Sequence, residues 1–139
     1  MAEIKQSKKI MVAGKRKTAV AKALIGEGTG IIKINKKPYE NLENFKKLMI
    51  QEPIELAKKV LGDFNFDINV NVAGGGQESQ IEASRLAIAK ALVKFTKSAE
   101  LKKVFLSYDR NLLIADTRRK EAYKPGDSKA RRRRQKSYR

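Results

Sequence analysis

From residue 64 to residue 72 the chain alternates without a break. Phe64, Phe66, Ile68, Val70 and Val72 are apolar, and Asn65, Asp67, Asn69 and Asn71 between them are polar. Period two marks an extended strand, because successive side chains of a strand point to opposite faces. A strand with one apolar and one polar face belongs to a sheet covered on one side only. This segment alone therefore favours an α+β domain, with helices packed on one face of a small sheet, over a doubly wound α/β arrangement.

The remaining segments fit around that strand. At 139 residues one domain with one core is the expectation. Residues 10–13 and 18–25 are short apolar runs, and residues 31–34 form another after the glycine segment at 26–30. Strand, glycine turn and strand read as a β-hairpin or meander. The glycine segment opens no helix, so a flexible hairpin turn is favoured over a nucleotide loop. Leu42, Phe45, Leu48 and Met49 have helical spacing over residues 41–50. Pro53 suits the first turn of a second helix, which Gly62 stops. After Gly74, Gly75 and Gly76, residues 77–96 read as the main helix. Ser79 and Glu82 have capping-box spacing there, and Ile81, Ile88, Leu92 and Phe95 line one stripe. Ser98 is placed to cap a further helix with Leu101, Val104 and Phe105 facing inward, and residues 112–115 read as a last strand. No apolar periodicity follows Asp116, which divides the chain into a globular domain at 1–116 and an extended basic tail at 117–139.

The charge sharpens this division. The formal net charge is +17, and residues 1–22 hold seven basic side chains against one acid. Residues 118–139 hold 11 basic against 2 acidic, whereas residues 23–117 hold 14 against 12. The middle has the balance of an ordinary domain, and the ends have that of nucleic-acid-seeking arms. Apolar residues at 41% exclude a wholly disordered basic chain. No apolar run reaches the ~20 residues of a membrane span, and the beginning of the chain lacks the apolar stretch of a signal peptide.

Chemistry is scarce. There is no Cys and no His, which excludes disulfides, Cys/His metal sites and imidazole or thiolate catalysis. Glu52 with Glu55, and Glu78 with Glu82, are explained as first-turn helix acids. The triple glycine lacks the Lys-Ser/Thr pair of a phosphate loop, so a tight strand-to-helix turn is favoured over an anion site. No catalytic residue, metal ligand or cofactor is assigned. In the tail, Lys124, Pro125 and Gly126 prevent helix, and Lys129, Arg131, Arg132, Arg133, Arg134 and Lys136 follow. Guanidinium groups are permanently charged and grip phosphate bidentately, and Tyr138 adds a ring able to stack on a base.

These residues converge on a known family. Gly74, Gly75, Gly76, Ser79, Gln80, Ala83, Ala87 and residues 89–92 resemble the signature of the small-subunit ribosomal protein nine family. Tyr108, Asp109, Arg110, Leu112, Leu113 and Asp116 resemble its next block, and residues 14–19 and 129–139 match its two ends. The ending Gln135, Lys136, Ser137, Tyr138, Arg139 is similar to the archaeal and eukaryotic branch, and the chain length to the archaeal one. Relatives in that branch often have glycines where this chain has Asp127, Ser128 and Lys129.

The resemblance implies an α+β fold with a left-handed βαβ crossover, as in the second domain of small-subunit ribosomal protein five. It implies a cytoplasmic, non-enzymatic ribosomal role: docking on the head of the small subunit, on the 3′ major domain of 16S-type rRNA, beside neighbouring head proteins and away from membranes. It assigns rRNA contacts to Lys15, Arg16, Lys17, Arg110, Arg118, Arg119, Lys124 and the tail cations at 129, 131–134 and 136. It places Tyr138 and Arg139 near the anticodon stem-loop of peptidyl-site tRNA. Two alternatives stand beside it: a small-molecule kinase-like enzyme using the triple glycine for ATP, and a free-standing basic DNA-binding protein.

Overall fold

The computed structural model describes residues 8–123 and Pro125. It is an α+β domain with a five-stranded mixed sheet, formed by β1 (Ile10–Arg16), β2 (Ala19–Glu27), β3 (Ile32–Ile34), β4 (Lys37–Pro38) and β5 (Phe66–Ala73). The helices are α1 (Asn44–Leu61), α2 (Gln77–Thr96) and α3 (Ala99–Tyr108), with 3-10 turns at Tyr39–Asn41 and Arg110–Leu112. The alternating segment forms β5, beginning at Phe66.

The sheet order is β1-β2-β5-β3-β4. The hairpin therefore joins β1 to β2, through Lys17 and Thr18, and not β2 to β3 as the glycine segment suggested. β5 enters between β2 and β3, antiparallel to the first and parallel to the second. The β3–α1–β5 connection is thus a parallel crossover, the βαβ unit expected of the fold. A second hairpin joins β3 to β4 around Asn35 and Lys36, both at positive φ (50° and 68°).

The Gly26–Gly30 segment crosses the end of β5 and is held there by Asp67. The Asp67 carboxylate accepts hydrogen bonds from the backbone N–H groups of Thr29 (2.8 Å), Gly30 (3.1 Å) and Ile31 (3.0 Å). Those bonds, the Ile31 amide first, hold the Asp67 carboxyl below its ordinary value. A Cβ on Gly28 would lie 2.1 Å from the Asp67 carboxyl carbon, so a side chain there would collide with the anchor. The anion in this glycine loop is the chain's own.

All three helices lie on one side. Alternate positions Ala19, Ala21, Ala23 and Ile25 of β2, Ile68 and Val70 of β5, and Ile32 and Ile34 of β3 are buried beneath them. α2 is the central helix, buried at Ile81, Ala83, Leu86, Ala87, Ile88, Ala89, Ala91 and Leu92. It sits close because small residues meet: a Cβ on Gly14 would fall 2.5 Å from the Ala83 carbonyl oxygen and 2.7 Å from the Ala87 nitrogen. The one buried polar side chain among the described residues, Ser84, donates its hydroxyl to the Gln80 carbonyl at 2.8 Å.

Local expectations fared unevenly. Residues 41–61 form one helix from Asn44, not two, because Pro53 is buried against the core inside α1 rather than opening a new helix. Burial there offsets the hydrogen bond that proline cannot donate, a loss of ~3 kcal/mol in an exposed helix. Gly62 does terminate α1, at φ 78°. α2 starts from Gly76 without a side-chain cap, so Ser79 lies inside the helix and forms no capping box. Ser98 caps α3 as expected, its Oγ accepting from the Leu101 N–H at 3.2 Å. Residues 112–115 form no strand: Arg110–Leu112 is a 3-10 turn, and Leu112 is the anchor that enters the core.

Candidate nucleic-acid interface

The triple glycine is a packing turn. Gly74 and Gly75 have φ of 78° and 66°, which favours glycine. A Cβ on Gly74 would stand 2.6 Å from the Thr18 carbonyl oxygen, and one on Gly75 3.1 Å from Ala19. The β5–α2 turn therefore lies directly against the tip of the β1–β2 hairpin. Nothing stands within 4 Å of a Cβ on Gly76, where the turn opens to solvent.

This places Lys15, Arg16 and Lys17 on the same end of the domain as the triple glycine. Lys15 and Lys17 are exposed, and Lys17 is held at positive φ (53°) by the tight hairpin turn. Arg16 is different. Its side chain is only 15% exposed, and its guanidinium pairs with Glu82 of α2 and, through Nη1 at 3.2 Å, with Asp116. Nη1 is close to Asp116 without the alignment of a hydrogen bond, so that contact is an ion pair only.

Asp116 also receives Arg118. Arg118 Nε lies 2.9 Å and Nη2 2.6 Å from Asp116 Oδ2, and the Arg118 N–H donates to Oδ1 at 3.0 Å. The Arg118 side-chain bonds come first in holding the Asp116 carboxyl far below its ordinary value, and they raise the Arg118 guanidinium in turn. Arg118 remains 78% exposed. Its charge faces solvent while its position is fixed, and Arg119 follows against the carbonyl oxygens of Asp116 and Arg118.

A second partly buried arginine positions Arg110. Arg85 of α2 is 14% exposed and pairs with Glu52 of α1 and with Asp109 at 3.2 Å. Asp109 in turn caps the 3-10 turn, accepting from the Asn111 N–H at 2.9 Å. Arg110 is exposed on that turn. Arg16, Glu82, Arg85, Asp109 and Asp116 line one polar cleft of ≈ 140 Å³. No group of described residues is suited to hold a metal ion.

Among the described residues, then, the fold brings Lys15, Lys17, Arg110, Arg118 and Arg119 to the surface and gives Arg16 an internal pairing. Lys124, Lys129, Arg131, Arg132, Arg133, Arg134, Lys136, Tyr138 and Arg139 lie outside the described residues. Glu52, Glu82, Arg85 and Asp109 escape a sequence reading as site-building residues, because the charged partners that fix them are 24 to 66 positions away. The period-two pattern does signal one more set: it puts Lys22 and Lys33 on the sheet face that no helix covers.

The fold is a small α+β domain whose glycines serve packing, with the exposed cations Lys15, Lys17, Arg110, Arg118 and Arg119 set around the paired Arg16 and Asp116. Residues 14–139 match the family model described as ribosomal protein S9/S16. The chain is 50% identical over 135 residues to small ribosomal subunit protein uS9 of Methanococcus vannielii, covering 95% of this chain and 99% of that one. It is 49% identical, with the same coverage, to uS9 of Methanococcus maripaludis. The chain belongs to the ribosomal protein S9/S16 family. It is of archaeal type, a structural ribosomal protein and not an enzyme.

Proposed function

We propose that this protein is a constituent of the head of the small ribosomal subunit in the cytoplasmic ribosome. It binds the 3′ major domain of 16S-type rRNA beside neighbouring head proteins, and its tail from residue 117 reaches the peptidyl-site tRNA. The observation that carries the reading is the family match, which runs through both the hairpin at 14–19 and the basic ending. Lysine and arginine side chains displace counterions from rRNA phosphates, and a like-charged tail orders against an anionic surface. Lys15, Lys17, Arg110, Arg118 and Arg119 start that contact at one end of the domain. Lys124, Lys129, Arg131, Arg132, Arg133, Arg134 and Lys136 extend it, and Tyr138 and Arg139 stand at the tRNA. Arg16 supports the site by holding Asp116, from which Arg118 is positioned.

The experiment is to delete residues 137–139. The truncated protein enters small subunits normally, and those subunits release peptidyl-site tRNA faster. Unchanged tRNA retention overturns the assignment of Tyr138 and Arg139, and sedimentation of the protein with nucleoid DNA instead of small subunits overturns the ribosomal reading.

A further inference from the structure

The near-neutral sum of charge over residues 23–117 does not describe the uncovered face of the sheet. Register places Ala13, Lys22 and Asn71 side by side on β1, β2 and β5, and Leu24, Asn69 and Lys33 side by side on β2, β5 and β3. All of these positions alternate with buried ones, so they share the uncovered face. Lys22, Lys33, Asn69 and Asn71 are exposed. Lys36, in the β3–β4 turn, joins Lys33, Asn69 and Asn71 around a recess of ≈ 270 Å³. Asp67 is the only carboxylate at an uncovered-face position of the strands, and three backbone N–H groups occupy it. Glu52, Glu55, Glu78, Glu82 and Glu100 all belong to helices on the other side.

Two local choices on this face run against strand and turn preference. Asn69 and Asn71 sit in β5, bonded on both sides, although asparagine is depleted in strands. Lys36 occupies a positive-φ turn position (68°) where glycine is the favoured residue. Among the described residues, Lys22, Lys33 and Lys36 have no carboxylate partner. Unpartnered cations beside side-chain amides match a sugar–phosphate backbone: ammonium groups on phosphates, amides on the ribose hydroxyl. No strand position on this face holds an aromatic ring. It offers no stacking platform for splayed single-stranded bases, which leaves helical RNA, recognised by shape, phosphate and 2′-hydroxyl.

We propose that the uncovered face of the sheet, centred on the recess of Lys33, Lys36, Asn69 and Asn71 with Lys22 beside it, docks the backbone of double-helical rRNA. The surface uses none of the rRNA-contact residues named above, and the inference rests on the rRNA-binding reading above.

The test uses the full chain and a transcript of the 3′ major domain of small-subunit rRNA. Lys33→Glu with Lys36→Glu weakens binding at least about tenfold and flattens the slope of log affinity against log salt by about 2, as two lost phosphate contacts require. Asn69→Ala with Asn71→Ala weakens binding to a 20-base-pair RNA duplex several-fold (about 3–10) and leaves binding to the DNA duplex of the same sequence unchanged. Lys58→Glu with Lys59→Glu, an equal charge change at the end of α1, has less than about a twofold effect. Equal losses for the two lysine pairs overturn the proposal, as does an unchanged salt slope or binding of the wild type to single-stranded RNA in preference to duplex. If replacing Arg131, Arg132, Arg133 and Arg134 by Ala abolishes binding while the sheet variants do not, this inference fails and the rRNA reading stands. If none of these variants weakens binding, the rRNA reading itself fails. An acidic protein segment that competes for the recess where duplex RNA does not would also overturn the proposal.

Discussion

The two faces of the sheet are built from the same strands and do opposite work. Beneath the helices stand Ala21, Ala23, Ile25, Ile68 and Val70, each essentially inaccessible to water. On the opposite face, at adjacent positions of the same strands, stand Lys22, Asn69 and Asn71, all exposed. The covered face is selected for volume, since α2 lies so close that Gly14 has no room for a methyl group. The uncovered face is selected for chemistry, because volume costs nothing in open solvent. Neighbouring residues of one strand therefore tolerate change in opposite ways.

The largest expected contrast is between Ile68 and Asn69. Ile68 is fully buried, and Ile68→Ala lowers the unfolding free energy by about 2–5 kcal/mol through lost transfer energy and a cavity. Asn69→Ala, one residue on, changes it by less than ~0.5 kcal/mol. Urea denaturation of both variants measures the difference, and equal midpoints would break the distinction between the faces. Gly14→Ala comes next, at about 1–3 kcal/mol, because the added Cβ meets α2 backbone that moves only as a unit. Gly76→Ala, with nothing within 4 Å of its Cβ, is the sterically free counterpart and costs only the preference for Gly over Ala at the N-cap of α2, about 0.5–1 kcal/mol.

Much of this was legible in the residues, and the misses have a common cause. The alternation of β5 told the strand, its one-sided burial and the α+β class. Ser98 and Gly62 signalled a helix start and a helix stop through backbone chemistry confined to a few residues. What could not be read was anything that depends on a distant partner. Residues 18–34 looked like a hairpin because β5, which separates β2 from β3, comes more than 30 residues later. Pro53 looked like a helix start because its burial within α1 is set by the core. The internal pairing of Arg16 was hidden because nothing nearby in sequence announces Glu82 and Asp116. The net charge near zero over residues 23–117 was correct as a sum. It says nothing of the uncovered sheet face, where Lys33 and Lys36 stand exposed beside Asn69 and Asn71.

A smaller effect tests the edge between the faces. Asp67 sits on the uncovered face, yet it holds the loop leading to β3. Its folded-state carboxyl lies below the ordinary value of 3.8, so its stabilisation is fully present above that pH and is lost as pH falls through the lower folded value. Amide exchange at Thr29, Gly30 and Ile31 therefore accelerates on acidification relative to β5 amides. Asp67→Asn brings on that acceleration at neutral pH, on the order of tenfold. Exchange that stays uniform from pH 6 to pH 3 would show that the loop is held by something other than Asp67.

A small stability effect at position 36 is the most informative about selection. Lys36→Gly relieves a positive-φ turn, and it leaves stability unchanged or raises it by about 0.5–1 kcal/mol. A chain selected only for folding would have glycine there, as the matching position of so many two-residue hairpins does. If thermal melting shows Lys36→Gly to be stabilising while the variant binds rRNA less well, lysine is kept at position 36 for its charge. If Lys36→Gly instead destabilises the domain, the lysine stem serves the fold, and the contrast between a face selected for volume and a face selected for chemistry loses its sharpest case.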